Sequence, residues 1–152
     1  MGNTYPICQA DLLLEENGKK VCLTLRANEE AKALVLDGCV FMDNLTKCDA
    51  MYLFKGHNKK VVALVELKGA GDIAHAFEQL AYTRKQRPEY LDLKQRLDQA
   101  GPGQTSEKAF IVSNGMLSKP QSERLESQHR IRISAVLYSE PSSRVPDLRE
   151  WF

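Results

Sequence analysis

Two carboxylates and a lysine define the chemistry to look for: Asp49, and the pair Glu66-x-Lys68 further along the chain. Asp49 stands at the start of a strand-like segment, Ala50 to Phe54, and Glu66 at the end of the next, Val61 to Glu66. Gly56-His57-Asn58 reads as the turn between them. An antiparallel hairpin places the start of one strand beside the end of the other, so the three side chains converge. Glu66 and Lys68 share a face because strand side chains alternate. Glu66 also ends an apolar run, where a half-buried carboxylate needs a cation, a hydrogen-bond donor or a metal. Two carboxylates in such a place suit Mg²⁺, which takes one or two of them together with waters and phosphate oxygens.

The elements that must hold this group follow from the pattern around it. Val21 to Leu25, Leu34 to Met42, Ala50 to Phe54 and Val61 to Glu66 are short segments rich in apolar and β-branched residues, predicting an antiparallel meander. Arg26 to Lys32, with Asn28 as a candidate N-cap, reads as a helical turn or a charged loop. After Lys68 the period changes. Gly69-Ala70-Gly71 breaks the strand, Asp72 offers an N-cap, and Ile73, Phe77 and Leu80 recur at helical spacing, predicting a helix that ends before Pro88. Its polar side carries His75, Gln79, Tyr82 and Gln86. Pro88 suits the first turn of a second helix, and Gly101-Pro102-Gly103 ends it. Ala109 to Val112 and Ile131 to Tyr138 restore strand character, for an order β-β-β-β-α-α-β-β. This predicts an α/β domain with a mixed sheet, since a strand reached through helices pairs in parallel.

The chain has 152 residues, 43% of them hydrophobic and 27% charged, within the range of one globular domain. We assign 1–140 to that domain and 141–152 to a C-terminal tail, in which Trp151 and Phe152 either dock on the domain or anchor a protein partner. The net charge of +1 gives no global attraction to polyanions, so such a site must be local. The longest apolar run, Val61 to Val65, is too short to span a bilayer, and a cytoplasmic location without membrane attachment is expected. Cys8, Cys22, Cys39 and Cys48 form no zinc-finger spacing and read as reduced, core-filling thiols.

The window from Lys47 to Tyr82 resembles the PD-(D/E)XK nuclease superfamily, in which an Asp and a Glu-x-Lys lie on adjacent strands before a helix that often bears a Gln. Asp49, Glu66, Lys68 and Gln79 match that pattern; Cys48 stands where the family has Pro. The same stretch is similar to small bacterial proteins with a Gly-Cys, Cys-Asp, Glu-Leu-Lys-Gly, Gln-Leu pattern, a likeness that brings no substrate. The superfamily resemblance implies a restriction-endonuclease-like core and a metal-dependent endonuclease acting on DNA in preference to RNA, in defence, repair or recombination. It implies Mg²⁺, with Mn²⁺ as a substitute, held by Asp49, Glu66 and the Leu67 carbonyl, with Lys68 orienting or activating water and stabilising charge on the phosphate, and Gln79 either positioning Lys68, the water or a phosphate, or serving as an ordinary polar helix residue. It further implies an acid from an N-terminal helix, for which Glu15, Glu16, Glu29 and Glu30 are candidates, and a homodimer if both strands are cut. Asp37 is a candidate second ligand or a turn residue; His75 is a candidate for a phosphate contact or proton transfer or a helix-surface group, His57 reads as exposed in the turn, His129 has no partner signature, and Ser113-Asn114-Gly115 reads as a phosphate-facing loop or a turn. Arg84, Lys85 and Arg87, and Lys119, Arg124, Arg130 and Arg132, are the candidate phosphate contacts.

Two other readings use the same residues. One is a catalytically inactive relative that binds nucleic acid or a protein. The other is an unrelated α/β domain with a structural ion pair, in which Glu66→Gln lowers stability.

Overall fold

The structure, a computed structural model, describes residues 4–152. Eight strands and three helices form an α/β domain: β1 (Gln9–Ala10), β2 (Leu14–Glu16), β3 (Lys19–Val21), β4 (Glu30–Val35), β5 (Ala50–Gly56), β6 (Lys59–Lys68), α1 (Ile73–Gln86), α2 (Pro88–Asp98), β7 (Gln104–Ser113), α3 (Lys119–His129) and β8 (Ala135–Tyr138). Six strands make one mixed sheet in the order β1-β4-β5-β6-β7-β8, and β2 and β3 pair only with each other. The pairs from β1 to β6 are antiparallel, and those from β6 to β8 are parallel. β6 is therefore the strand at which the sheet changes sense.

Alternation along β5, β6 and β7 gives the sheet two apolar faces. Met51, Leu53, Val62, Leu64, Ala109 and Ile111 meet the helices. Tyr52, Phe54, Val61, Ala63, Phe110 and Val112 meet Val21, Leu23 and Leu148 instead. The tail belongs to this second core: Trp151 sits edge-on to Phe110 with ring centroids 6.2 Å apart, and Phe152 to Phe54 at 5.1 Å. Arg149 clamps it through a two-pronged pair with Glu29, and Thr24 bonds Asp147.

α1 and α2 form where the pattern places them. Ile73, Phe77 and Leu80 face the core; Asp72 holds the N-cap position of α1 without a side-chain cap bond. Gly103, at φ +99°, passes so close to Asn58 that an added Cβ would lie 2.6 Å from its carbonyl carbon. That contact brings the start of β7 alongside β6.

Several boundaries differ from expectation. The strand expected over Leu34–Met42 stops at Val35, because Gly38 at φ +81° turns the chain, leaving only a single Asp37–Phe41 bridge. The strand expected over Val21–Leu25 ends as β3 at Val21, and Cys22 pairs singly with Asp147. In the undecided stretch Arg26–Lys32, Asn28 adopts φ +66° and β4 follows. The β2–β3 hairpin and α3 are additional elements. Asn17-Gly18, at φ +51° and +79°, makes the first possible. A Ser118/Gln121 capping box with Pro120 starts the second. α3 lies between the two late strands, and the strand expected over Ile131–Tyr138 begins only at Ala135 as β8.

Cys8 and Cys39 form a disulfide, which corrects the expectation of four reduced thiols; Cys22 and Cys48 are free. Pairing of β1 with β4 brings the two together. No described helix is long and apolar enough to cross a membrane.

Candidate metal and phosphate site

β5 and β6 pair with Ala50 opposite Val65, so the next residues outward, Asp49 and Glu66, also face each other. Their link is reciprocal. The Asp49 backbone N–H donates to Glu66 Oε1 at 2.9 Å, and the Leu67 N–H donates to Asp49 Oδ2 at 2.8 Å. Lys68 Nζ lies 3.5 Å from Glu66 Oε2. The short hairpin thus brings Asp49, Glu66, the Leu67 backbone and Lys68 to one end of the sheet.

Neighbouring elements hold this end in place. Gln79, on α1, donates through Nε2 to the Lys47 carbonyl at 3.1 Å, while its Oε1 is buried without a hydrogen-bond partner. One turn later the Thr83 hydroxyl accepts from the Cys48 N–H and donates to the Gln79 carbonyl. α1 is therefore stapled to the two residues before Asp49, and Gln79 meets the backbone at Lys47. On the other side, the Asp49 carbonyl accepts from the N–H groups of Leu36 and Asp37. Gly115 is pressed against Ala70, and Asn114 accepts from the Ala70 N–H, so the loop after β7 packs against the loop that follows Lys68.

A cleft of about 250 Å³ opens beside the pair, lined by Glu15, Glu16, Asp37, Asp49, Leu14 and Leu67 among others. Of the four N-terminal acids, Glu16 interacts with Asp49. Glu15 pairs with Lys20, Glu29 with Arg149, and Glu30 with Lys55. Glu16 lies on the β2–β3 hairpin and not on a helix as the resemblance implies. The Asn17-Gly18 turn was the signal that would have located it. Asp37 occupies a turn, as one of its two descriptions has it, and also lines the cleft.

The electrostatics are those of crowded acids in a dry place. Burial pushes Asp49 up to about 7, aided by Glu16 and Asp37 and opposed by the Leu67 N–H. Burial, then the Asp49 charge, pushes Glu66 up to about 9 against the pull of Lys68. Among the described residues no three His, Cys, Asp or Glu side chains form a ready metal-holding group. The pair nevertheless fits Mg²⁺: its donors are hard oxygens, the two carboxylates formed on losing their protons would outweigh the single charge of Lys68, and the ion needs no all-protein cage. Cys48 is buried and its thiol is pushed well up, so it is no nucleophile.

The remaining candidates lie elsewhere. His75 is exposed and pairs with Glu78; His57 is exposed in the β5–β6 turn; His129 stacks on Phe77. The Ser113 hydroxyl accepts from the Gly115 N–H, a turn contact. Arg87 is buried, forked onto Asp43 and stacked over Phe41. Lys85 caps the carbonyls of His129 and Arg130, and Arg84 sits by Glu107. These three cations are thus engaged inside the domain. No protein-family model, no curated protein and no solved structure matches the chain.

Proposed function

We propose that the chain is a Mg²⁺-dependent nuclease of the restriction-endonuclease-like, PD-(D/E)XK kind, hydrolysing phosphodiester bonds of DNA in preference to RNA. One observation carries the reading: the buried Glu66, the half-buried Asp49 and Lys68 meet where β5 begins and β6 ends, beside an open acidic cleft. The order of three antiparallel strands, a helical crossover and a parallel strand agrees with that fold. The preference for DNA and the place in defence, repair or recombination rest on the sequence resemblance alone.

In this reading Asp49 and Glu66 would hold the ion as carboxylates, and Glu16 and Asp37 add acidic groups at the mouth. When bound, Mg²⁺ supplies a Lewis acid for the phosphate and a water of lowered pKa. Lys68 places its ammonium beside Glu66, where it orients the attacking water and offsets charge developing on the phosphate oxygens. Gln79 and Thr83 fix the strand that carries Asp49 and act as positioning residues.

A second reading has its own support. Asp49 and Glu66 each accept a backbone N–H, which suits a nuclease-fold module that binds nucleic acid or protein without cutting. Through its tail such a module would have to lift Trp151 and Phe152 off Phe110 and Phe54. The two readings separate on wild type and Lys68→Ala incubated with supercoiled, linear, single-stranded and branched DNA and with RNA, in EDTA, Mg²⁺ and Mn²⁺. The nuclease predicts metal-dependent cleavage that falls by about 10²–10³-fold in Lys68→Ala, the range for loss of one charge-stabilising donor. Absence of cleavage by folded wild type on every substrate leaves the binding module.

A further inference from the structure

We infer that the exposed cations of α3 and the segment after it, Lys119, Arg124, Arg130 and Arg132, form the track that grips the phosphate backbone of duplex DNA. The inference rests on the proposed nuclease reading and assigns the surface along which its substrate lies.

The argument starts from what the other cations do. Arg84, Lys85 and Arg87 are used within the domain, and Lys60 is buried. On α2, Lys94 and Arg96 pair with Asp98 and Asp92. By contrast, Lys119, Arg124, Arg130 and Arg132 are all exposed. Their side chains form no ion pair, hydrogen bond or ring contact among the described residues. The stretch 119–132 holds four Lys and Arg against two Glu. Of these, Glu126 turns back to accept the Ile133 N–H, while Glu123 stays exposed one turn from Lys119. Cations left unpaired in a chain of nearly balanced charge are available to a polyanion.

Placement adds to composition. The loop into α3 is held against the loop leaving Lys68, through Gly115 on Ala70 and Asn114 on the Ala70 N–H. The far end of α3 meets the far end of α1, through Lys85 on the carbonyls of His129 and Arg130. α3 therefore runs away from the candidate site alongside α1. Lys119 and Arg130 fall on one side of the helix and lie about 16 Å apart along it at ~1.5 Å per residue, while Arg124 is turned roughly 140° from Lys119, toward where the second strand would run. That distance matches about five phosphates of one strand at ~3.4 Å each along the duplex axis.

The test measures binding of a labelled duplex DNA to the full chain in EDTA, where metal-dependent cutting is silent, over a range of salt. Replacing Lys119, Arg124, Arg130 and Arg132 together by Ala should weaken binding at least tenfold at low salt. It should also flatten the slope of log K against log salt by about 3.6, at ~0.9 per phosphate contact. Lys94→Ala with Arg96→Ala, paired on α2 and there half-buried and exposed respectively, should bind as wild type. Single Lys119→Glu and Arg130→Glu variants carry the test if the fourfold variant fails to fold, and each should lower the slope by about one. The inference is overturned if wild type does not bind duplex DNA, if the fourfold variant binds like wild type, or if the α2 control loses as much. Tighter binding to single-stranded or hairpin RNA than to duplex DNA overturns the assignment of the partner. Binding that depends on the four cations, without cleavage in any metal, leaves the track standing and removes the nuclease. Cleavage that ignores the four cations does the reverse.

Discussion

Lys60 and Glu66 lie six residues apart on β6 and on the same face, and both are buried, at 1% and 2% exposure. They differ in what surrounds them. Lys60 Nζ donates to the carbonyls of Asp98 and Gly101 at 2.6 and 2.7 Å, beside the C-terminus of α2, where the helix dipole favours a cation. Its charge is matched by preorganised oxygens. Glu66 accepts one backbone N–H, and lies between one ammonium and another buried carboxyl. Its charge is crowded. Burial of an ionisable residue therefore marks structure at one end of the strand and chemistry at the other, and the sign of the neighbours distinguishes them.

That contrast breaks most readily at Lys60. Lys60→Met keeps the stem and removes the ammonium, leaving two carbonyls unpartnered at about 1–3 kcal/mol for each buried unsatisfied group. Urea unfolding should show a loss of about 2–4 kcal/mol. Glu66→Gln, which retains an acceptor for the Asp49 N–H, should cost little at pH 8 and can gain. Equal losses in the two variants would end the distinction and restore the structural ion pair.

Metal sharpens the comparison next. Mn²⁺ or Mg²⁺ at a hundredfold excess over its dissociation constant should stabilise the wild type by about 2.7 kcal/mol, read as a rise in Tm. Asp49→Asn should abolish the rise and Lys68→Ala should preserve it, because only the first removes an oxygen donor. A rise that persists in Asp49→Asn would move the ion elsewhere.

The pair should also leave its mark on pH dependence. The folded chain retains protons on Asp49 and Glu66 where the unfolded chain has released them, so ΔG of unfolding falls as pH rises. The decline begins near the ordinary carboxyl range of about 4 and continues through about 7 for Asp49 and about 9 for Glu66. Denaturation between pH 5 and 9 should show it, and the Asp49→Asn/Glu66→Gln pair should flatten it. An unchanged slope in that pair would place the responsible groups elsewhere.

The carboxylate–lysine group was legible because a hairpin with a short turn is local: once Gly56-His57-Asn58 is read as the turn, pairing brings Asp49 opposite Glu66. α1 and α2 were legible from Ile73, Phe77 and Leu80 and from Pro88. Glu16 reaches Asp49 through a separate hairpin marked only by Asn17-Gly18, and no spacing connects the two residues in sequence. α3 buries no residue fully, so its apolar period is faint, and only its capping box announces it. Cys8 and Cys39 meet through pairing of a two-residue strand, below the length at which alternation can be recognised.

That short strand closes only part of one margin of the sheet. β1 covers Ala33 and Leu34 of β4, and the charged residues Glu30 and Lys32 occupy the rest of that rim. A two-residue strand has too few ladder bonds to stay in place unaided, and the covalent tie one residue before it, at Cys8, keeps it there. Cutting that tie with a reductant frees β4 to pair with a strand from another molecule. The disulfide thus guards against self-association, and its loss should first appear as light scattering on gentle heating.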